Sequence, residues 1–156
     1  MKTILTSLVA LAIAAPAAFA HVSFEMPHAA EATQKLRVKI PEGVIAVKPM
    51  PKPDWSLEII TGPYENSYDY YGTTMNEGVQ ELIWAGELPD AHFDQFSFRA
   101  KLTDMHAVGT TLYFPAVQEC ATAAERWIEI PAEGQDAHDL EGPAPGLTIT
   151  APGNGH

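Results

Sequence analysis

The residue with the most chemistry open to it is His21. It follows Ala18-Phe19-Ala20, a small-x-small cleavage site, so processing after Ala20 would make it the mature N-terminus. A free α-amine titrates near pH ~8 and an imidazole near ~6.5, so both are accessible as neutral nitrogen donors around neutrality. Carried by one residue, the amine nitrogen and Nδ1 can close a chelate ring on a single metal ion. Two such nitrogens suit Cu(II) best, because copper tops the first-row affinity order and favours tetragonal nitrogen and oxygen sites. The plainer reading is that a histidine merely happens to follow a leader.

Trp127 is the second residue of interest. In Glu125-Arg126-Trp127-Ile128-Glu129-Ile130 a period of two puts Ile128 and Ile130 on one face and Trp127 with Glu125 and Glu129 on the other, more polar one. A tryptophan aimed away from the apolar face needs another neighbour. A satellite hydrophobic cluster would serve; so would a metal ion lying against the indole face, with Trp127 as a π cap, since indole nitrogen donates only. On pattern alone the packing role is favoured.

Other candidates are weaker. Cys120 is the single cysteine, and no methionine follows it, so a blue-copper cluster of Cys, His and Met near the chain end is absent. His28 lies seven residues after His21 and could approach the same site, whereas His92 and His106 fall at expected turns and His138 and His156 in a polar tail. No H-x-x-H or H-E-x-x-H spacing supports a zinc hydrolase, and a nucleophile elbow, a P-loop and a dinucleotide fingerprint are missing.

The elements that must position these residues are short strands. Residues 1–20 read as a signal peptide: Lys2 is the positive n-region, and the apolar run over 4–15 is too short for a membrane span. Export to a bacterial periplasm is the expectation. The chain carries nine basic and twenty acidic residues, a net charge of −11; loss of Lys2 with the leader leaves eight against twenty, or −12. That surface argues against binding nucleic acid or anionic lipid and favours cations. Period-two alternation predicts strands over 36–40, 44–47, 55–59, 80–84, 95–102, 110–114 and 126–130, with a further one over 147–150. Thirteen prolines oppose long helices. The fold class expected is all-β, an antiparallel sandwich. Residues 62–78, with Tyr64, Tyr68, Tyr70 and Tyr71, form a long hairpin connection or an excursion whose tyrosines pack over a sheet. A domain over 21–132 would be followed by an acidic, then Pro/Gly-rich tail over 133–156, expected to be poorly ordered.

Several motifs resemble the YcnI-like copper-binding domain of bacterial secreted proteins. These are His21-Val22 after the leader, Ile40-Pro41-Glu42-Gly43-Val44, and Met50-Pro51-Lys52-Pro53-Asp54-Trp55. Trp84-Ala85-Gly86, the stretch from His92-Phe93-Asp94 to Ala100-Lys101, and Phe114-Pro115-Ala116-Val117-Gln118-Glu119-Cys120 followed by Trp127 complete the set. The resemblance runs from His21 to about Ile130. It implies a cupredoxin-like or immunoglobulin-like sandwich that binds Cu(II) through a single-histidine brace, with His21 giving the amine and Nδ1 and Trp127 lying over the metal. It also implies copper handling, as a chaperone or store near a copper importer or another periplasmic chaperone, and not catalysis. One strand and loop of the family pattern is missing here, since Thr33-Gln34 runs almost straight into Leu36. In relatives that insert carries a further copper ligand and a cysteine able to pair with the one at Cys120. Glu25, His28 or Glu125 stand as substitutes for the missing ligand.

Two rival readings come from other classes. A copper-dependent polysaccharide oxidase also uses an N-terminal histidine but needs a second imidazole, for which His28 is the natural candidate. A structural sandwich whose metal site decayed with the insert is the other.

Overall fold

The computed structural model of the chain describes residues 19–25 and 31–151. Residues 1–18 of the expected leader, His28 and His156 lie outside the described residues, as do the side chains of Phe19 and Glu25.

Alternating apolar residues build two facing sheets. β1 (Phe19–Glu25), β3 (Val44–Pro49) and β6 (Gln95–Leu102) form the smaller, in the order β1-β6-β3. β2 (Thr33–Lys39), β4 (Ser56–Tyr70), β5 (Thr73–Leu88), β8 (Ala116–Cys120) and β9 (Ala124–Trp127) form the larger, in the order β4-β5-β2-β8-β9. A third pairing joins β7 (Thr111–Tyr113) to β10 (Gly146–Thr148). Every strand pairing within the sheets is antiparallel. The core lies between the inward faces: Leu36 and Val38 of β2, Leu82 and Trp84 of β5, and Phe96, Phe98 and Ala100 of β6. Fully buried Trp84 donates its indole N–H to the Met50 carbonyl at 3.1 Å, which satisfies the one polar atom it takes into the core. The all-β antiparallel expectation therefore holds.

Four regions differ from the sequence pattern. β1 and β8 were not foreseen as strands. β8 turns Ala116 and Gln118 inward, so its buried face lacks the large apolar residues that mark a strand. Fully buried Gln118 is accommodated by donating Nε2–H to the Thr33 hydroxyl.

The 62–78 segment is the outer part of one long hairpin. Its loop is Tyr71-Gly72, both at positive φ (51° and 83°), the backbone that twists a two-residue turn to match its strands. The arm packs back on the molecule as expected of its tyrosines. Tyr68 is buried, and Lys101, only 7% exposed, donates to the Asp69 carbonyl at 2.9 Å with the Tyr70 and Tyr71 rings 5.4 and 5.1 Å away.

Residues 133–151 do not hang loose, contrary to the expectation of a poorly ordered tail. After a 3-10 turn at Ala137–Asp139, Glu129 N–H donates to Gly142 O at 2.9 Å, Gly142 N–H donates to the Glu129 carboxylate at 2.6 Å, and Ala144 N–H reaches Glu129 O at 2.8 Å. A Cβ on Gly142 would stand 2.2 Å from the Arg126 carbonyl, so glycine permits this approach. Ala144 is buried, and Leu147 and Ile149 pack on the core. Low hydrophobicity misleads here because small residues suffice to fit against an edge.

The face of Trp127 is the fourth difference. Cross-strand pairing sets Trp127 opposite Ala116 and Glu125 opposite Gln118, both partners buried. Trp127 and Glu125 thus share one face as predicted, but it is the core side. Trp127 is half-buried against the core, while Ile128 and Ile130, beyond the end of β9, are 44% and 57% exposed.

Candidate metal centre

Strand β1 fixes where His21 points. Phe24 is buried and Val22 packs on the core, so His21 and Ser23 face outward from the smaller sheet. Ser23 meets Ser97 of β6 on that face, hydroxyl to hydroxyl at 2.7 Å. His21 lies directly opposite Arg99 of β6, and Arg99 in turn opposite Lys48 of β3. The three side chains are exposed, because Phe98 and Ala100 take the inward positions on either side of Arg99. The His21 imidazole makes no described hydrogen bond or ion pair. Its backbone nitrogen is a peptide amide while Ala20, paired with Ala100, precedes it, and only a cut between the two would make it an amine donor.

The other candidates are dispersed. Trp127 belongs to the edge strand of the opposite sheet and faces inward, so the described register does not bring it to His21. Glu125 is exposed beside Trp127 on β9. His92 is exposed in a turn closed by His92 N–H to Pro89 O, and His138 is exposed in the 3-10 turn. His106 places Nε2 at 2.8 Å from the Glu42 carbonyl, a structural contact. Among the described residues no three or more His, Cys, Asp or Glu gather around a cation position. A chelate closed within His21 needs no such gathering.

Cys120 is half-buried and free, and its thiol lies 3.9 Å from the Glu31 carbonyl. Burial, then the charges of Glu31 and Glu125, push its pKa up. Thiolate is the metal-binding form, so these surroundings work against Cys120 as a ligand. Beside it runs an open groove of about 590 Å³ on the outer face of the larger sheet, lined by Arg37, Glu81, Glu119, Cys120, Thr122 and Arg126 among others. Arg37 grips Glu81 with two hydrogen bonds of 2.9 and 3.2 Å, and Lys35 reaches Glu119 at 3.1 Å. Sequence reasoning did not single out this groove, although Lys35, Arg37 and Lys39 at alternate positions mark the outward face of β2.

The chain was compared with known proteins. A family model described as a domain of unknown function, DUF1775, matches residues 8–149. That domain is the one carried by the YcnI-like family its motifs resemble. No curated protein matches. Among solved structures the chain is similar to an uncharacterized protein from Nocardia farcinica with an immunoglobulin-like fold, at 23% identity and a TM-score of 0.61. The alignment covers 88% of this chain and 93% of that one. At that identity the likeness speaks for the fold, which both share. With the family match spanning residues 8–149, most of its length, the chain belongs to the DUF1775 family.

Proposed function

We propose that this is an exported Cu(II)-binding protein that handles copper as cargo, storing it or passing it to a copper importer or another periplasmic chaperone, without catalysing a reaction. The observation that carries this reading is His21 itself. It directly follows an expected leader cleavage site and holds an exposed imidazole with no competing partner among the described residues. Cleavage then places an amine beside it, and the two nitrogens form a chelating pair whose chemistry favours Cu(II). Equatorial positions left open on the metal suit a protein that must release what it binds. The net charge of −12 concentrates cations generally; the nitrogens supply the selectivity.

The test is Cu(II) titration of mature protein beginning at His21 against the same protein with one extra N-terminal alanine. The extension keeps every side chain and removes the amine from the chelate. Binding should weaken by at least about tenfold, equivalent to ~1.4 kcal/mol. Equal binding by the two would refute the brace. Trp127→Phe is the companion variant: unchanged copper affinity with lower thermal stability assigns the ring to packing, and loss of affinity with stability retained assigns it to the metal. Release of oxidised sugar by the loaded protein would replace this reading with the oxidase one.

A further inference from the structure

The outer face of the smaller sheet is not open along its whole length. Lys101 follows core-facing Ala100 on β6, so it points outward, and Ile45 is its cross-strand partner on β3. Yet Ile45 is 0% exposed and Lys101 only 7%. Like buried Tyr68, neither belongs to the core between the two sheets. The cover over Lys101 is the tip of the β4–β5 hairpin, through the Asp69 carbonyl and the Tyr70 and Tyr71 rings.

The ladder of that hairpin breaks where the tip begins. Pro63 pairs with Glu77 and the next pair is Tyr68 with Met75, so residues 64–67 stand against the single residue Asn76. Beyond this bend, Tyr68–Met75, Asp69–Thr74 and Tyr70–Thr73 pair as a unit of their own. Polar contacts hold the unit down: Lys101 Nζ to the Asp69 carbonyl at 2.9 Å, the Tyr68 hydroxyl to Glu42 at 2.6 Å, and Asn66 N–H to Glu42 at 3.2 Å. The closed position also carries polar groups that water would serve better. The Lys101 ammonium has one carbonyl and two ring faces as its described partners, with no carboxylate among them. The Tyr64 hydroxyl lies over Gly78 in the bend, buried and without a hydrogen-bond partner among the described residues. Lifting the tip rehydrates both groups, which offsets part of the burial it gives up.

Resting on the copper reading above, we propose that residues 64–76 form a strap that opens independently of the sandwich and gates one side of the His21 position. Lys101 lies two residues beyond the one opposite His21, so the two are diagonal neighbours with Cα atoms about 7–8 Å apart. Cleavage after Ala20 would take away Phe19, the residue paired with Lys101, and leave His21 as the part of β1 beside the tip. The closed tip then walls the metal position along Lys101. Lifted, it frees that side for whatever receives the ion.

Hydrogen exchange of the mature full-length protein, without metal, tests the strap. Amides of residues 68–75 should exchange at least about tenfold faster than those of β6, at a rate indifferent to low denaturant. Gly78→Ala sets a Cβ 1.8 Å from the Tyr64 hydroxyl and forces the ring off the bend, so it should speed tip exchange by roughly tenfold. Tyr64→Phe removes the unpaired hydroxyl and should slow tip exchange several-fold, which keeps the test decisive even if Gly78→Ala fails to fold. Tip amides that exchange only together with β6, with the same denaturant dependence, overturn the strap. The gate is read from the rate at which copper-loaded protein gives up Cu(II) to EDTA. That rate should rise in Gly78→Ala and fall in Tyr64→Phe, in step with tip exchange. A release rate that stays the same while tip exchange moves overturns the gate. Failure of wild-type protein to bind copper more tightly than the alanine-extended chain overturns the copper reading and the gate with it, whereas the exchange measurements decide the strap without metal.

Discussion

At the scale of single residues, chemistry away from His21 is mostly structural, and Glu42 shows how. Burial would raise its pKa, but hydrogen bonds from the Tyr68 hydroxyl (2.6 Å) and from the Glu65 and Asn66 backbone outweigh that and hold it below the usual carboxylate value. The partner responds in the opposite sense: burial first, and then the bond to Glu42, push Tyr68 up to about 12. The signs follow. Glu42 contributes stability above pH 4.5 that is lost as pH falls through its lowered pKa, and Tyr68 contributes stability below pH 10 that is lost as pH rises through about 12. In a spectrophotometric titration, with circular dichroism marking the folded range, Tyr68→Phe should abolish a late phenolate step. Glu42→Gln should move that step to lower pH while leaving it above 10, since burial is the larger cause. A titration curve indifferent to both changes would show that the pair is not coupled.

Among the strands, the sequence was legible where one face is buried and the other wet. Gln95–Leu102 alternates Phe96, Phe98 and Ala100 with polar neighbours, and it forms β6 with the predicted bounds. Legibility failed where the second face is not solvent or where burial uses small or polar residues, as in the outer hairpin and in β8. The reading proposed for His21 was open to the sequence because it rests on one residue and one expected cleavage site; its position opposite Arg99 was not, because that depends on long-range register. Trp84-Ala85-Gly86 shows a motif whose meaning only the packing discloses. A Cβ on Gly86 would stand 2.4 Å from the Trp55 ring, which lies edge-on to Phe96 with centroids 5.0 Å apart. Gly86→Ala should therefore destabilise by about 1–3 kcal/mol, the cost of overpacking. Trp55→Leu made in the same chain should cancel most of that increment while imposing its own cost. Denaturant unfolding of the four chains gives the coupling; additive losses would mean that the glycine is needed for backbone conformation and not for the ring.

For the molecule as a whole, the question is where the folded unit ends. Composition put the boundary at residue 132, yet three contacts carry the chain past it: Gly142 against the Arg126 carbonyl, Ala144 in the interior, and β10 on β7 with Leu147 and Ile149 on the core. The segment also covers part of β9, a sheet edge next to half-buried Trp127, and an uncovered edge offers unpaired backbone groups to other chains. Deleting residues 133–156 removes that cover and exposes Leu112 and Phe114, which are now 5% and 1% accessible. Losing the burial of Leu147 and Ile149 and part of their neighbours' costs on the order of 3–5 kcal/mol, a large share of the ~5–15 kcal/mol that holds a domain folded. The truncated chain should therefore unfold at a markedly lower temperature, bind a hydrophobic dye and associate at concentrations where the full chain stays monodisperse. Deleting residues 152–156 alone should leave the unfolding temperature unchanged. If the longer deletion behaved like the shorter, the sandwich would be complete without its return strand, and the C-terminal contacts would be a consequence of the fold and not a support for it.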